Sequence, residues 1–242
     1  MKLRGKKFKA AIVVGTFVLL IILVLISPFF FVQEIIVIGN VRVSQADILN
    51  RLDLSNTSNI LMFNTRYARR RIMGNLYIGE VIFRRDLPGR LYVTVRERRP
   101  SAYVEHMPGS FLVLDDFGRV LEIRQSFSEP LPLLEGLRFT SWQLGEILEV
   151  PNATDFSAIV HYTQLLVTHD LIHRITHINV ADPSNIRILV NYMEFHVGCA
   201  ADADYKVRTI VAMLEQSPYA GNIRGFVDMR ERRAEYFFVL LQ

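Results

Sequence analysis

The longest feature in the hydrophobic pattern is an unbroken apolar run. From Ala10 to Val32 the chain has 23 residues without Asp, Glu, Lys or Arg, and a helix rising ~1.5 Å per residue would reach ~34 Å, past a ~30 Å hydrocarbon core. A helix of a soluble domain would show a polar face, and this run has none. It is expected to form a single transmembrane helix over 10–32. Lys2, Arg4, Lys6, Lys7 and Lys9 precede it with no acid among them, so the tail 1–9 is expected in the cytoplasm and everything after residue 32 outside it. A cleaved signal peptide fits less well: its apolar core is shorter and ends in small residues, whereas this run leads through Ser27 and Pro28 into three phenylalanines.

Beyond the run, the apolar period changes repeatedly. Residues 33–38 read as a strand that Gly39-Asn40 stops. Ser44-Gln45-Ala46-Asp47 has the form of a capping box, and Ile48, Leu49 and Leu52 give the following helix an inner face. Asn64 or Thr65 can cap a second helix over 66–73. Strands over 78–85 and 91–98 flank Leu87-Pro88-Gly89-Arg90, a type II turn by its proline and glycine. In the second strand Leu91, Val93 and Val95 alternate with Tyr92, Thr94 and Arg96. The first domain, 33–104, is therefore a strand, two helices and two strands.

Residues 105–242 read as a mixed α/β domain dominated by antiparallel hairpins. One hairpin surrounds Asp115-Asp116-Phe117-Gly118, helices cover 155–171 and 204–215, and strands cover 175–180, 186–190, 193–197, 225–230 and 235–241. The last strand departs from pattern. Tyr236, Phe238 and Leu240 lie on one face and Phe237, Val239 and Leu241 on the other, so both faces are apolar. Such a strand is either covered twice or is an edge awaiting a partner, which makes Glu235, Tyr236, Phe237, Phe238, Val239 and Leu240 the candidate binding residues.

Charge sharpens the division into domains. Residues 34–100 carry 12 basic and 6 acidic groups, whereas 101–242 carry 11 basic and 18 acidic. The arginines at 69–71, 84–85 and 96–99 suit a solvated face, an anionic surface or an acidic partner, and an extracytoplasmic position argues against nucleic acid. Cys199 stands alone, so no intramolecular disulfide forms, and a buried apolar role is expected for it. No catalytic constellation, metal site or cofactor motif is visible. His169, His173 and His177 recur at four-residue spacing, as metal ligands on a helix would, but the last falls on an expected strand. An exported metal-dependent hydrolase using these histidines is one rival reading.

The order of elements in 33–104 resembles the POTRA fold, and its wording is similar to that of the FtsQ/DivIB family of bacterial cell-division proteins. The likeness rests on Ile36-Val37-Ile38-Gly39-Asn40, on Ala46-Asp47-Ile48-Leu49, and on Leu87-Pro88-Gly89 followed by Val95-Arg96-Glu97-Arg98-Arg99-Pro100. The Asp115 to Gly118 hairpin, Leu131-Pro132-Leu133-Leu134 and Asp228-Met229-Arg230 extend it. The resemblance implies a non-catalytic single-pass inner-membrane scaffold at the septum, whose C-terminal strand accepts a strand from FtsB, together with FtsL. Through them it would help control septal peptidoglycan synthesis. The alternative within the fold is a POTRA-containing secretion or outer-membrane assembly factor.

Overall fold

Short-range capping fixes the helices near the N-terminal sheet. The structure, a computed structural model, describes residues 2–54, 58–216, 224–231, 233 and 236–240, with the backbone alone at 2–11, 216 and 240. The chain divides into two compact units, Met1–Glu97 and Arg98–Gln242. The first unit begins with α1 (Lys2–Ile26), followed by β1 (Glu34–Ile38), α2 (Gln45–Leu52), α3 (Thr65–Ile72), β2 (Ile78–Asp86) and β3 (Arg90–Glu97). Ser44 Oγ accepts the Asp47 N–H at 3.1 Å, and Asn64 Oδ1 accepts those of Arg66 and Tyr67 at 3.1 Å. The returning half of the capping box is missing because Asp47 binds Arg51 Nε and Asn75 Nδ2 instead. β3 is central, parallel to β1 and antiparallel to β2. Ile48, Leu52, Ala68 and Ile72 of the helices and Val81, Leu91, Val93 and Val95 of the strands form its buried core.

The expected type II turn is not formed. The Leu87–Pro88 bond is cis, and Gly89 lacks the positive φ that a type II turn would require. Gly89 is needed for space: a Cβ there would lie 2.6 Å from the Phe31 carbonyl oxygen. This close approach brings the 31–33 segment in beside β3, with Gln33 N–H donating to Gly89 O at 2.8 Å.

The transmembrane part of the expected fold class is also corrected. Among the described residues no helix is long and apolar enough to cross a membrane. α1 ends at Ile26, Ser27 caps a 3-10 turn over Pro28–Phe30, and Val32 is 4 % exposed within the core of the first unit. Only 10–26 of the uncharged run is helical, ~25 Å at the helical rise against a hydrocarbon core of ~30 Å. The end of the apolar run belongs to the folded unit, so its length overstates the helix.

The second unit is a nine-stranded mixed sheet with two helices. Its elements are β4 (Pro100–Met107), β5 (Ser110–Asp115), β6 (Val120–Arg124), β7 (Leu133–Glu135), α4 (Ala153–Thr168), β8 (Ile175–Asn179), β9 (Ile186–Val190), β10 (Met193–Gly198), α5 (Ala203–Gln216), β11 (Gly225–Asp228) and β12 (Phe238–Leu240). The spatial order is β12-β11-β10-β9-β8-β7-β4-β5-β6. α4 contributes Phe156, Ile159, Tyr162 and Leu166, and α5 contributes Val207 and Ile210, to a core that includes Leu112, Leu114, Ile188, Phe195 and Val227. A smaller cluster of Tyr103, Val113 and Leu131 packs separately, where the Tyr103 hydroxyl accepts the N–H groups of Ser128 and Glu129 at 3.2 Å. Cys199, expected in the core, is exposed in the turn between β10 and α5.

Candidate docking edge

A strand at the end of a sheet presents unpaired N–H and C=O groups unless something covers them. The two ends of the nine-stranded sheet are treated differently. At the β6 end, Val120 N–H donates to Glu146 O at 2.9 Å and Gly145 N–H returns to Val120 O at 2.8 Å. Leu148 N–H donates to Gly118 O at 3.0 Å, and Arg119 forms an antiparallel bridge with Ile147. Residues 145–148 therefore strap the start of that edge.

At the other end β12 pairs with β11, antiparallel, with Gly225 opposite Leu240, Phe226 opposite Val239 and Val227 opposite Phe238. Among the described residues no strand lies beyond it. Alternation separates its two faces: Tyr236 and Phe238 are half-buried and packed against the core, whereas Phe237 is 72 % and Val239 45 % exposed. Gly225 makes room for this arrangement, since a Cβ there would stand 2.3 Å from the Phe238 ring. Of the other two candidate residues, Glu235 lies outside the described residues, and Leu240 is described by its backbone pairing alone.

The link from β11 begins with Asp228-Met229-Arg230. Arg230 donates from its backbone N–H and Nε to Asp228 Oδ1, at 3.1 and 2.9 Å, and from Nη2 to Oδ2 at 2.6 Å. These bonds hold the Asp228 carboxyl at about 2, well below the usual range, against a smaller opposing effect of burial. Met229 is buried and continues the ladder to His196 O at 2.9 Å. Beside the edge, Phe226 stacks on His196 with ring centres 5.0 Å apart. Glu194 lies 3.3 Å from Arg187 and 3.5 Å from His196, which gives this sheet face a polar stripe next to the apolar pair of Phe237 and Val239.

The three histidines do not converge. His169 caps α4 with Nε2 3.8 Å from Asp204, His173 lies in a 3-10 turn with Nδ1 3.3 Å from Pro130 O, and His177 on β8 has Nδ1 2.8 Å from Glu135. No group of three His, Cys, Asp or Glu able to hold a metal occurs among the described residues. Asp115, which the sequence places in the turn of a hairpin, is buried. Its Oδ1 accepts the N–H groups of Phe117 and Arg119 at 2.9 Å, and Arg98 lies 3.4 Å away. Burial, reinforced by the Asp115 charge, pushes the neighbouring Asp116 carboxyl up. Two of the arginines bind backbone: Arg69 Nε donates to Val81 O at 3.0 Å and Arg85 to Phe63 O at 2.8 Å. Arg84 instead lies over the Tyr92 ring at 4.1 Å. Sequence reading missed the strap and Gly225, although Gly145 before the apolar pair Ile147-Leu148 marks a turn feeding a short extended segment.

Residues 30–98 match the POTRA domain of FtsQ type. Over nearly its whole length the chain is similar to cell division protein DivIB of Clostridium botulinum, at 25 % identity over 244 residues, covering 99 % of this chain and 94 % of that protein. DivIB of Clostridium tetani is 24 % identical over 204 residues, 84 % of this chain and 77 % of its own. Cell division protein FtsQ of Rhizobium meliloti is 27 % identical over 107 residues, 44 % of this chain and 35 % of its own.

Proposed function

We propose that this chain, which carries a POTRA domain of FtsQ type and is similar over most of its length to DivIB proteins, is a cell-division protein of the FtsQ/DivIB kind and a non-catalytic scaffold acting at the division septum. Its task is to take an extended segment of an FtsB-type partner, which travels with an FtsL-type protein, onto β12. The observation that carries this reading is the inequality of the two sheet ends: the start of β6 is strapped by residues 145–148, whereas among the described residues β12 has one neighbouring strand, and Phe237 and Val239 turn outward there. A partner strand laid along β12 would gain main-chain hydrogen bonds, and the two outward side chains would select what lies opposite them. Through that complex the scaffold would help control septal peptidoglycan synthesis.

Phe237→Asp tests the reading, because Phe237 is largely exposed and a charge there costs the fold little. Affinity of the full chain for the FtsB- and FtsL-type pair is expected to fall at least tenfold, about 1.4 kcal/mol, with the melting temperature unchanged. Full affinity in the folded variant would overturn the proposal. Phe238→Asp is a poorer probe, since Phe238 packs against the core and a charge there would disturb the strand itself.

A further inference from the structure

We propose that Tyr205 and Lys206 of α5 are positioning residues for the docking edge, fixing from inside the domain the register in which β12 is offered to a partner. The inference rests on the reading of β12 as the docking strand. The described pairing of β12 with β11 is three residues long, a short hold on a strand, so its place depends also on the chain that leads to it. That link leaves β11 at Asp228, and α5 grips its backbone at two points. Lys206 Nζ donates to Arg230 O at 3.5 Å and to Val197 O at 2.7 Å, tying the start of the link to the end of β10. The Tyr205 hydroxyl donates to Arg233 O at 3.1 Å, three residues nearer β12 in sequence. Tyr236 then closes the link on itself, its hydroxyl donating to Glu231 O at 3.3 Å and accepting the Arg233 N–H at 3.2 Å.

A lysine that served only to fill space would not be put here. Lys206 is 1 % exposed, and burial lowers its pKa, with Cys199 and Asp202 acting in the opposite direction. A buried ammonium is costly unless its donors are used, and a methionine of similar length would fill the same volume without that cost. What methionine cannot do is bond two carbonyls that belong to different segments. The ammonium is therefore explained by the carbonyls it joins, those of Val197 and Arg230.

Amide hydrogen exchange on the full chain separates positioning from general packing. In Tyr205→Phe and in Lys206→Met, amides of residues 236–240 are expected to exchange about fivefold faster, the equivalent of one hydrogen bond of about 1 kcal/mol. Amides of β4 and β5 keep their wild-type rates. Unchanged rates at 236–240 in both variants, or equal acceleration in β4 and β5, would overturn the proposal. Both variants are also expected to bind the FtsB- and FtsL-type pair about fivefold more weakly, because a smaller fraction of molecules presents the competent edge. Failure of the wild-type chain to bind that pair would remove the docking reading, while the exchange rates would still decide whether α5 holds the strand.

Discussion

Single residues give the family wording its physical content. Glu97 accepts the N–H groups of Val41, Arg42 and Val43 at 3.0, 2.8 and 2.9 Å, so one carboxylate fixes the turn after β1, while its neighbour Arg98 reaches Asp115. Charged acceptors make the stronger hydrogen bonds. Glu97→Gln is expected to cost the first unit about 1–2 kcal/mol in urea denaturation. Asp228 gives a test in pH. Its folded pKa of about 2 lies below the ordinary carboxylate value near ~4, so it contributes stability that is present above pH ~4 and lost as pH falls through about 2. Asp228→Asn is expected to flatten that part of the acid limb, measured as urea midpoints between pH 5 and pH 2, and an unaltered slope would refute the role. That these residues recur in a pattern was legible in the sequence. Which amide or guanidinium each one meets was not, because Glu97 lies more than fifty positions from the turn it holds.

The same contrast appears at the level of elements. α2, α3, α4 and α5 were legible to within a few residues, since Ser44 and Asn64 act through the next turn and an inner apolar face repeats every three to four residues. β4 was not legible. Ser101, Ala102, Tyr103 and Val104 are all buried, so both faces of that strand are covered and the two-residue period disappears. β12 was read as a strand apolar on both faces, and its inner face packs on the core while its outer face stays bare. The apolar run at 10–32 misled in the other direction. Hydropathy cannot tell a helix from a helix followed by a turn and a buried segment, and Val32 belongs to the latter. The strap over β6 can be tested as an element. Gly145 has a φ of +82° and donates its N–H to Val120 O, two things proline cannot do. Gly145→Pro is expected to lift residues 145–148 from the edge and raise light scattering at fixed concentration, whereas scattering equal to wild type would mean that the strap does not guard it.

At the scale of the whole sheet, residues 145–148 strap the start of the β6 end, and among the described residues no strand lies beyond β12 at the other, a difference that bears on assembly. A sheet open at both ends can grow by adding copies at either side and has no natural stopping size. A sheet with one open end offers a single place for a partner strand. Each copy of the chain is therefore expected to recruit one partner strand, giving a fixed stoichiometry. When no partner is present, the remaining outlet for two copies is to lay their β12 strands against each other, a dead-end pair that cannot extend. Such pairing would compete with recruitment more strongly as concentration rises, so the fraction of molecules ready to act would be greatest where the chain is dilute relative to its partner.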